Sequence, residues 1–285
     1  MKLLGIIFAL SSSIFWAAST VAVKKALKTD SALNITFLSV AMNVVYLWPA
    51  AFFLTPWERV GLDGIAILVL AGILAPTFGR LVRFMSVEKL GAALSSPLVN
   101  TVPMFSAIVA YIFLGEIVDL QIGLGISVIM IGVTILSLGE EKLKLSHIGI
   151  LLSLASAASF GGAHTVYKVG ATMVSSPILG AAVGSTIACI SYYSLAKITK
   201  QDIGSLRGAS WFSYVNGILT GIALCSTFAA LVLERVVIVA PLIATNPLFV
   251  LLFSWIFLKK VERITTVITI ASVLVVFGSI LVGTA

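Results

Sequence analysis

The sequence predicts an all-α integral membrane protein, with ten transmembrane helices arranged as two inverted five-helix repeats. The first observation behind this is composition: 60% of residues are hydrophobic, 10% are charged and the mean hydropathy is +1.16, too apolar for a soluble domain with a polar surface. The second is segmentation into ten long apolar runs separated by short polar breaks. A bilayer core of roughly 30 Å takes about 20 helical residues per crossing, and a chain in lipid must satisfy its backbone hydrogen bonds internally, so helices are selected over strands. The third is duplication, because the second half re-reads the first at an offset of 144 residues. Five crossings per unit is an odd number, which sets the two units in opposite orientations.

Taken in order, the first run, Leu3–Val23, has Lys2 before it and Ala17-Ala18 near its end, features of a secretory signal peptide. Its match to the sixth run is the argument that it is retained. Ala32–Leu54 and Gly64–Met85 follow, and the third run carries Arg80 and Arg83. The fourth, Leu90–Leu114, carries Pro97 and Pro103. The fifth, Gln121–Leu138, carries Gly123, Gly125 and Gly132, read as points of close helix contact. Ile148–Tyr167 carries His164. Ile178–Ala196 and Phe212–Leu233 hold Cys189 and Cys225, which lack metal-ligand spacing and read as small buried side chains. Val236–Leu258 carries Pro241 and Pro247, and Ile264–Gly283 closes the series. The longest connection, around Lys197–Ser210, has too little apolar content for a separate domain. Residues 1–140 and 145–285 are therefore expected to be the two repeats.

The repeat is sharpest in the fourth and ninth runs. From Pro97 to Leu114, eight of 18 positions are identical at the 144 offset: Pro97, Leu98, Thr101, Pro103, Phe105, Ile112, Phe113 and Leu114. The same offset carries Gly5 onto Gly149, Trp16 onto Phe160 and Lys24 onto Lys168.

The net charge of +7 comes from 18 basic residues at the edges of apolar runs rather than from a basic stripe with interleaved aromatics, so nucleic acid is not an expected partner. Odd-numbered loops hold twelve of them, the N-terminus and even-numbered loops four, and the third run Arg80 and Arg83. The positive-inside rule then puts odd loops in the cytoplasm and both termini outside a cell membrane crossed many times.

Trp16 with Lys24 eight residues on, Ser86-Val87-Glu88-Lys89-Leu90-Gly91-Ala92-Ala93, Pro103-Met104-Phe105 and Leu114-Gly115-Glu116 together resemble the EamA-type drug/metabolite transporters over nearly the whole chain. The resemblance implies ten helices in two inverted halves and export or exchange of small metabolites or drugs. One departure is plain: the second half reads Leu258-Lys259-Lys260 where the first reads Leu114-Gly115-Glu116.

Chemistry within a membrane is read from polar groups that lipid makes expensive. Three ionisable side chains fall within the runs, Arg80, Arg83 and His164. Arg80 and Arg83 are three apart, hence on one helix face, either snorkelling to headgroups or forming a cationic vestibule for a carboxylate or phosphate. His164 is either an interfacial hydrogen-bonded residue or a titrating gate. The proline pairs Pro97/Pro103 and Pro241/Pro247 remove amide donors and loosen the carbonyls of Ala93, Val99, Val237 and Ile243 near mid-membrane. Such backbone is tolerated where it lines a cavity, although kinks that only shape packing are the alternative. Asn100, Thr101, Thr245 and Asn246 supply polar groups at that depth, and Trp16, Tyr111 and Trp255 supply aromatic walls or interfacial anchors.

No enzyme is expected: there is no His-Glu-x-x-His, no Gly-x-Ser-x-Gly and no run with two carboxylates. Neither a metal nor a cofactor is expected. A small-molecule substrate and the lipid bilayer are the expected partners of a monomeric secondary transporter that works by alternating access. Because no Asp or Glu lies inside a run, facilitated diffusion or exchange is favoured over a carboxylate proton relay. A flippase for a lipid or lipid-linked headgroup is the rival reading.

Overall fold

The computed structural model describes residues 2–90, 95, 98–137, 146–200, 203, 209–258 and 266–285, and the regular elements among them are all helical. They are α1 (Lys2–Ala26), α2 (Ala32–Leu54), α3 (Leu62–Gly72), a π-helical segment (Ile73–Gly79), α4 (Arg80–Leu90), α5 (Val102–Leu114) and α6 (Leu120–Ser137). After these come α7 (His147–Met173), α8 (Pro177–Thr199), α9 (Trp211–Leu233), α10 (Val236–Ile243), α11 (Asn246–Leu258) and α12 (Thr266–Thr284). Serine hydroxyls start α2, α7, α8 and α9: Ser31, Ser146, Ser176 and Ser210 each accept an orphan amide of the first turn. Among the described residues, seven stretches are long and apolar enough to cross a membrane, and three shorter apolar helices accompany them.

Three runs are less regular than the sequence analysis expected. The third does not end at Met85 but continues to Leu90, interrupted by the π-helical turn around Pro76. Proline has no amide to give and its ring displaces the carbonyl one turn back, so the ladder slips. Freed carbonyls find side-chain donors from neighbouring helices: Ser159 donates to Leu74 O at 2.8 Å, Tyr192 to Pro76 O at 2.8 Å and Ser156 to Gly79 O at 2.8 Å. The fourth and ninth runs are broken rather than merely kinked. Turns at Asn100-Thr101 and at Ala244-Thr245 precede α5 and α11, placing Pro103 and Pro247 in first turns, where a missing amide costs nothing. The sixth run extends past Tyr167 to Met173, so Lys168 lies inside α7.

Helix pairing follows the duplication. α1 packs on α9 and α11, while α7 packs on the α3–α4 unit and α5; α2 meets α8, and α6 meets α12. Single residues repeat the relation. A Cβ on Gly5 would lie 2.6 Å from Glu234 Cβ, and one on Gly149 2.5 Å from Leu90 Cγ, and positions 234 and 90 themselves differ by 144. Buried hydroxyls stitch α1 and α2 to α9, with Ser12 and Thr227 at 2.7 Å, Ser19 donating to Asn216 at 2.6 Å and Ser39 and Thr220 at 2.9 Å. Gly125 and Gly132 let α6 approach α12, where added Cβ atoms would meet Val282 Cγ2 at 2.6 Å and Val275 Cγ2 at 2.8 Å; Gly123 makes no such approach. The most enclosed element is α10, buried from Val236 through Leu242.

Candidate functional site

Between the packed helices lies a cavity of about 970 Å3, lined from α1, α2, the π-helical turn, α4, α5, α7 to α11 and both chain breaks. No described residue of α6 or α12 is among its lining, and these two helices pack on each other as a scaffold. At one end the lining includes Lys24, two residues from the end of α1, and Arg83, both exposed. At the other it reaches the rings of Tyr167 and Phe228, whose centroids are 4.4 Å apart and which form a floor.

Beyond that floor the molecule is closed by charge. Lys168 Nζ lies 3.0 Å from Glu116 Oε1 and donates to the carbonyl of Glu234 at 2.7 Å. The second oxygen of Glu116 accepts the Val237 amide at 3.0 Å. A carboxylate there satisfies an orphan donor and sits at the positive end of the α10 dipole. The Glu234 carboxylate accepts the Arg235 amide at 2.9 Å. One cluster thus ties α7, the segment after α5 and the start of α10 together.

The two breaks share one local geometry. Thr101 Oγ1 donates to Leu98 O at 2.7 Å and Thr245 Oγ1 to Leu242 O at 2.7 Å, so both threonines donate to their own turns, and Thr245 Oγ1 also meets Ser13 Oγ at 3.0 Å. Asn100 and Asn246, next to them, reach the cavity lining.

Six of the residues singled out in the sequence meet in this cavity, Trp16, Arg80, Arg83, Asn100, His164 and Asn246, with Pro247 beside them. Arg80 lies beside the Tyr192 side chain, and His164 Nδ1 pairs with Ser106 Oγ at 3.0 Å. Thr101 and Thr245 are not among the lining residues, and neither is Tyr111, which is 63% exposed on the outer surface of α5. Pro103 and Pro241 are buried in helix packing. Pro97 and the Trp255 side chain lie outside the described residues.

Sequence reasoning missed the polar wall from α2 and α9. Ser39, Asn43, Thr220 and Thr227 line the cavity. With its amide nitrogen turned to the carbonyls of Ser39 and Gly217, at 3.2 and 2.6 Å, Asn43 is satisfied at both ends. Ser185, also lining, is buried with no hydrogen-bond partner among the described residues. The Glu116–Lys168 pair was missed too, although Lys168 had been matched to Lys24 at the repeat offset, a signal that it belongs to the helix rather than to a loop.

The model of the EamA-like transporter family matches residues 3–138 and again residues 147–284. An uncharacterized transporter of Archaeoglobus fulgidus is 27% identical over 265 residues, which is 92% of either chain. The uncharacterized transporter YvbV of Bacillus subtilis is 26% identical over 155 residues, 53% of this chain and 50% of that one. A solved crystal structure superposes with a TM-score of 0.80, covering 97% of this chain and 95% of its own at 14% identity, a likeness of fold alone.

Proposed function

This chain belongs to the EamA-like transporter family, and from that premise we propose that it is a secondary transporter carrying a small metabolite, an amino acid, organic anion or drug-like solute, by alternating access. The coarser statement, a multi-pass membrane protein of a transporter family, follows directly from the family match and the apolar helices. Ten crossings as two inverted five-helix repeats, residues 1–140 and 145–285, are part of the proposal. Support comes from the 144 offset, the twofold match to the family model and the matched breaks at Thr101 and Thr245.

The observation that carries the reading is a cavity with polar groups set in a largely apolar wall, closed at one end by Glu116 and Lys168 and bordered at the other by Lys24 and Arg83. A carrier that exposes its site to one side at a time needs that asymmetry, with the opposite posture reached by rocking the halves about the broken helices. The basic-residue count puts the Lys24 end on the cytoplasmic side, with both termini outside. Export or facilitated exchange by a monomer is the mode proposed.

Counterflow in liposomes with a broad panel of labelled metabolites tests the proposal. Accelerated exchange of at least one water-soluble solute is expected. Exchange of none, with movement of labelled lipid headgroups between leaflets, would replace the carrier reading with a flippase. Cysteine labelling at position 28 from the cytoplasmic side only is expected; labelling from outside would reverse the orientation.

A further inference from the structure

We infer that the transported solute is an organic anion, with a carboxylate or phosphate headgroup held at Arg80 and Arg83 and an apolar body lying toward Phe160, Tyr167 and Phe228. The inference rests on the transporter reading above and narrows its substrate class.

Three cations, Lys24, Arg80 and Arg83, line the cavity, and no described Asp or Glu does. Among the described residues the ion pairs are Lys168–Glu116 and Arg235–Glu234, both at the closed end. The carboxylate of Asp30, near the end of α1 that bears Lys24, is occupied by Asn34 at 2.7 Å and Ser213 at 3.1 Å. The basic groups of the cavity therefore face one another without a carboxylate among the described lining.

A guanidinium does not shed its proton, so the cavity keeps a standing positive charge that a bound anion would offset. Arg80 and Arg83 lie one turn apart, where like charges repel, and an oxyanion between them turns that repulsion into two attractions. In a site of effective dielectric about 20, each attraction is about four times what water would allow. Arg80 is also oriented. It lies beside Tyr192, whose hydroxyl donates to the Pro76 carbonyl in the π-helical turn, and its guanidinium has five N–H donors to offer a ligand.

Apolar surface begins directly beside this headgroup site. The Phe160 ring comes within 3.2 Å of where a Cβ on Gly79 would stand, and Gly79 precedes Arg80 in the chain. The tilted pair Tyr167 and Phe228 continues that surface to the floor. A cation is repelled by this arrangement, and a zwitterion finds no carboxylate among the described lining for its ammonium group.

The test is counterflow into liposomes holding the full-length protein, using four probes of one shape: indole-3-acetate, indole-3-acetamide, tryptamine and tryptophan. Indole-3-acetate is expected to exchange fastest, with Arg80→Gln and Arg83→Gln each lowering its rate about tenfold and Arg80→Lys retaining part of it. Thermal unfolding of each variant near the parent value establishes that the fold is intact. Exchange of the amide, the amine or the zwitterion at the rate of the acid or above it, or no exchange of the acid, overturns the assignment. Those outcomes leave the transporter reading standing, since that reading falls only when no water-soluble solute of the broad panel exchanges.

Discussion

Glu116 and Lys168 meet at 3.0 Å across the closed end of the cavity, joining the segment after α5 to α7. At the repeat-equivalent positions the chain has Lys260 and Lys24, two like charges. The carboxylate is largely buried and its second oxygen holds the first turn of α10.

Glu116→Gln is expected to lower stability by about 1–3 kcal/mol, the worth of hydrogen bonds to a charged group. In a double-mutant cycle with Lys168→Met, the two losses should fall short of additive by about 1 kcal/mol. Thermal unfolding in detergent reads both, and an additive cycle would dissolve the pairing.

The chain breaks carry the second prediction. Asn100→Ala and Asn246→Ala should each raise KM about tenfold, about 1.4 kcal/mol of lost binding, while unfolding stays at the parent value. Unaltered kinetics in both variants would move the site away from the breaks.

Scaffold packing gives the third. Gly125→Val and Gly132→Val force side chains into space filled by Val282 and Val275 and should cost about 1–3 kcal/mol each. Gly123→Ala, with Val118 Cγ1 at 3.8 Å as its neighbour, should be nearly neutral. Comparable losses at Gly123 and Gly125 would contradict the close approach of α6 and α12.

Support of the π-helical turn gives the fourth. Ser159→Ala removes the side-chain donor to Leu74 O and should destabilise by about 1 kcal/mol without altering KM. Tyr192→Phe strips the donor from Pro76 O and removes the hydroxyl beside Arg80, so it should cost similar stability and also slow transport. Equal transport in the two variants would separate Arg80 from the turn.

Periodicity and duplication made the membrane class and the two matched breaks legible, because a proline cannot continue a helix interior, and Pro103 and Pro247 therefore mark where a new helix starts. Pro76 carried the same signal and was passed over, since the eighth run has no proline to match it. Trp16, Arg80, Asn100, His164 and Asn246 were recoverable because lipid makes such groups conspicuous. Ser39, Asn43, Thr220 and Thr227 were not. Hydroxyls and amides recur along apolar helices as internal hydrogen-bond partners, and nothing in their spacing says which face a cavity. For Tyr111 the sequence left wall and interfacial anchor open, because helix rotation, which turns it to the outer surface of α5, is fixed by tertiary packing.

Glu116 and its repeat-equivalent Lys260 differ in sign, an asymmetry that in the proposed carrier would favour one posture over the other. For an uncoupled carrier, such a preference cannot rectify flow, because net flux vanishes whenever the solute activities on the two faces are equal. What it skews is saturation: influx and efflux acquire different half-maximal concentrations and ceilings, yet their ratios of ceiling to half-maximum stay locked together.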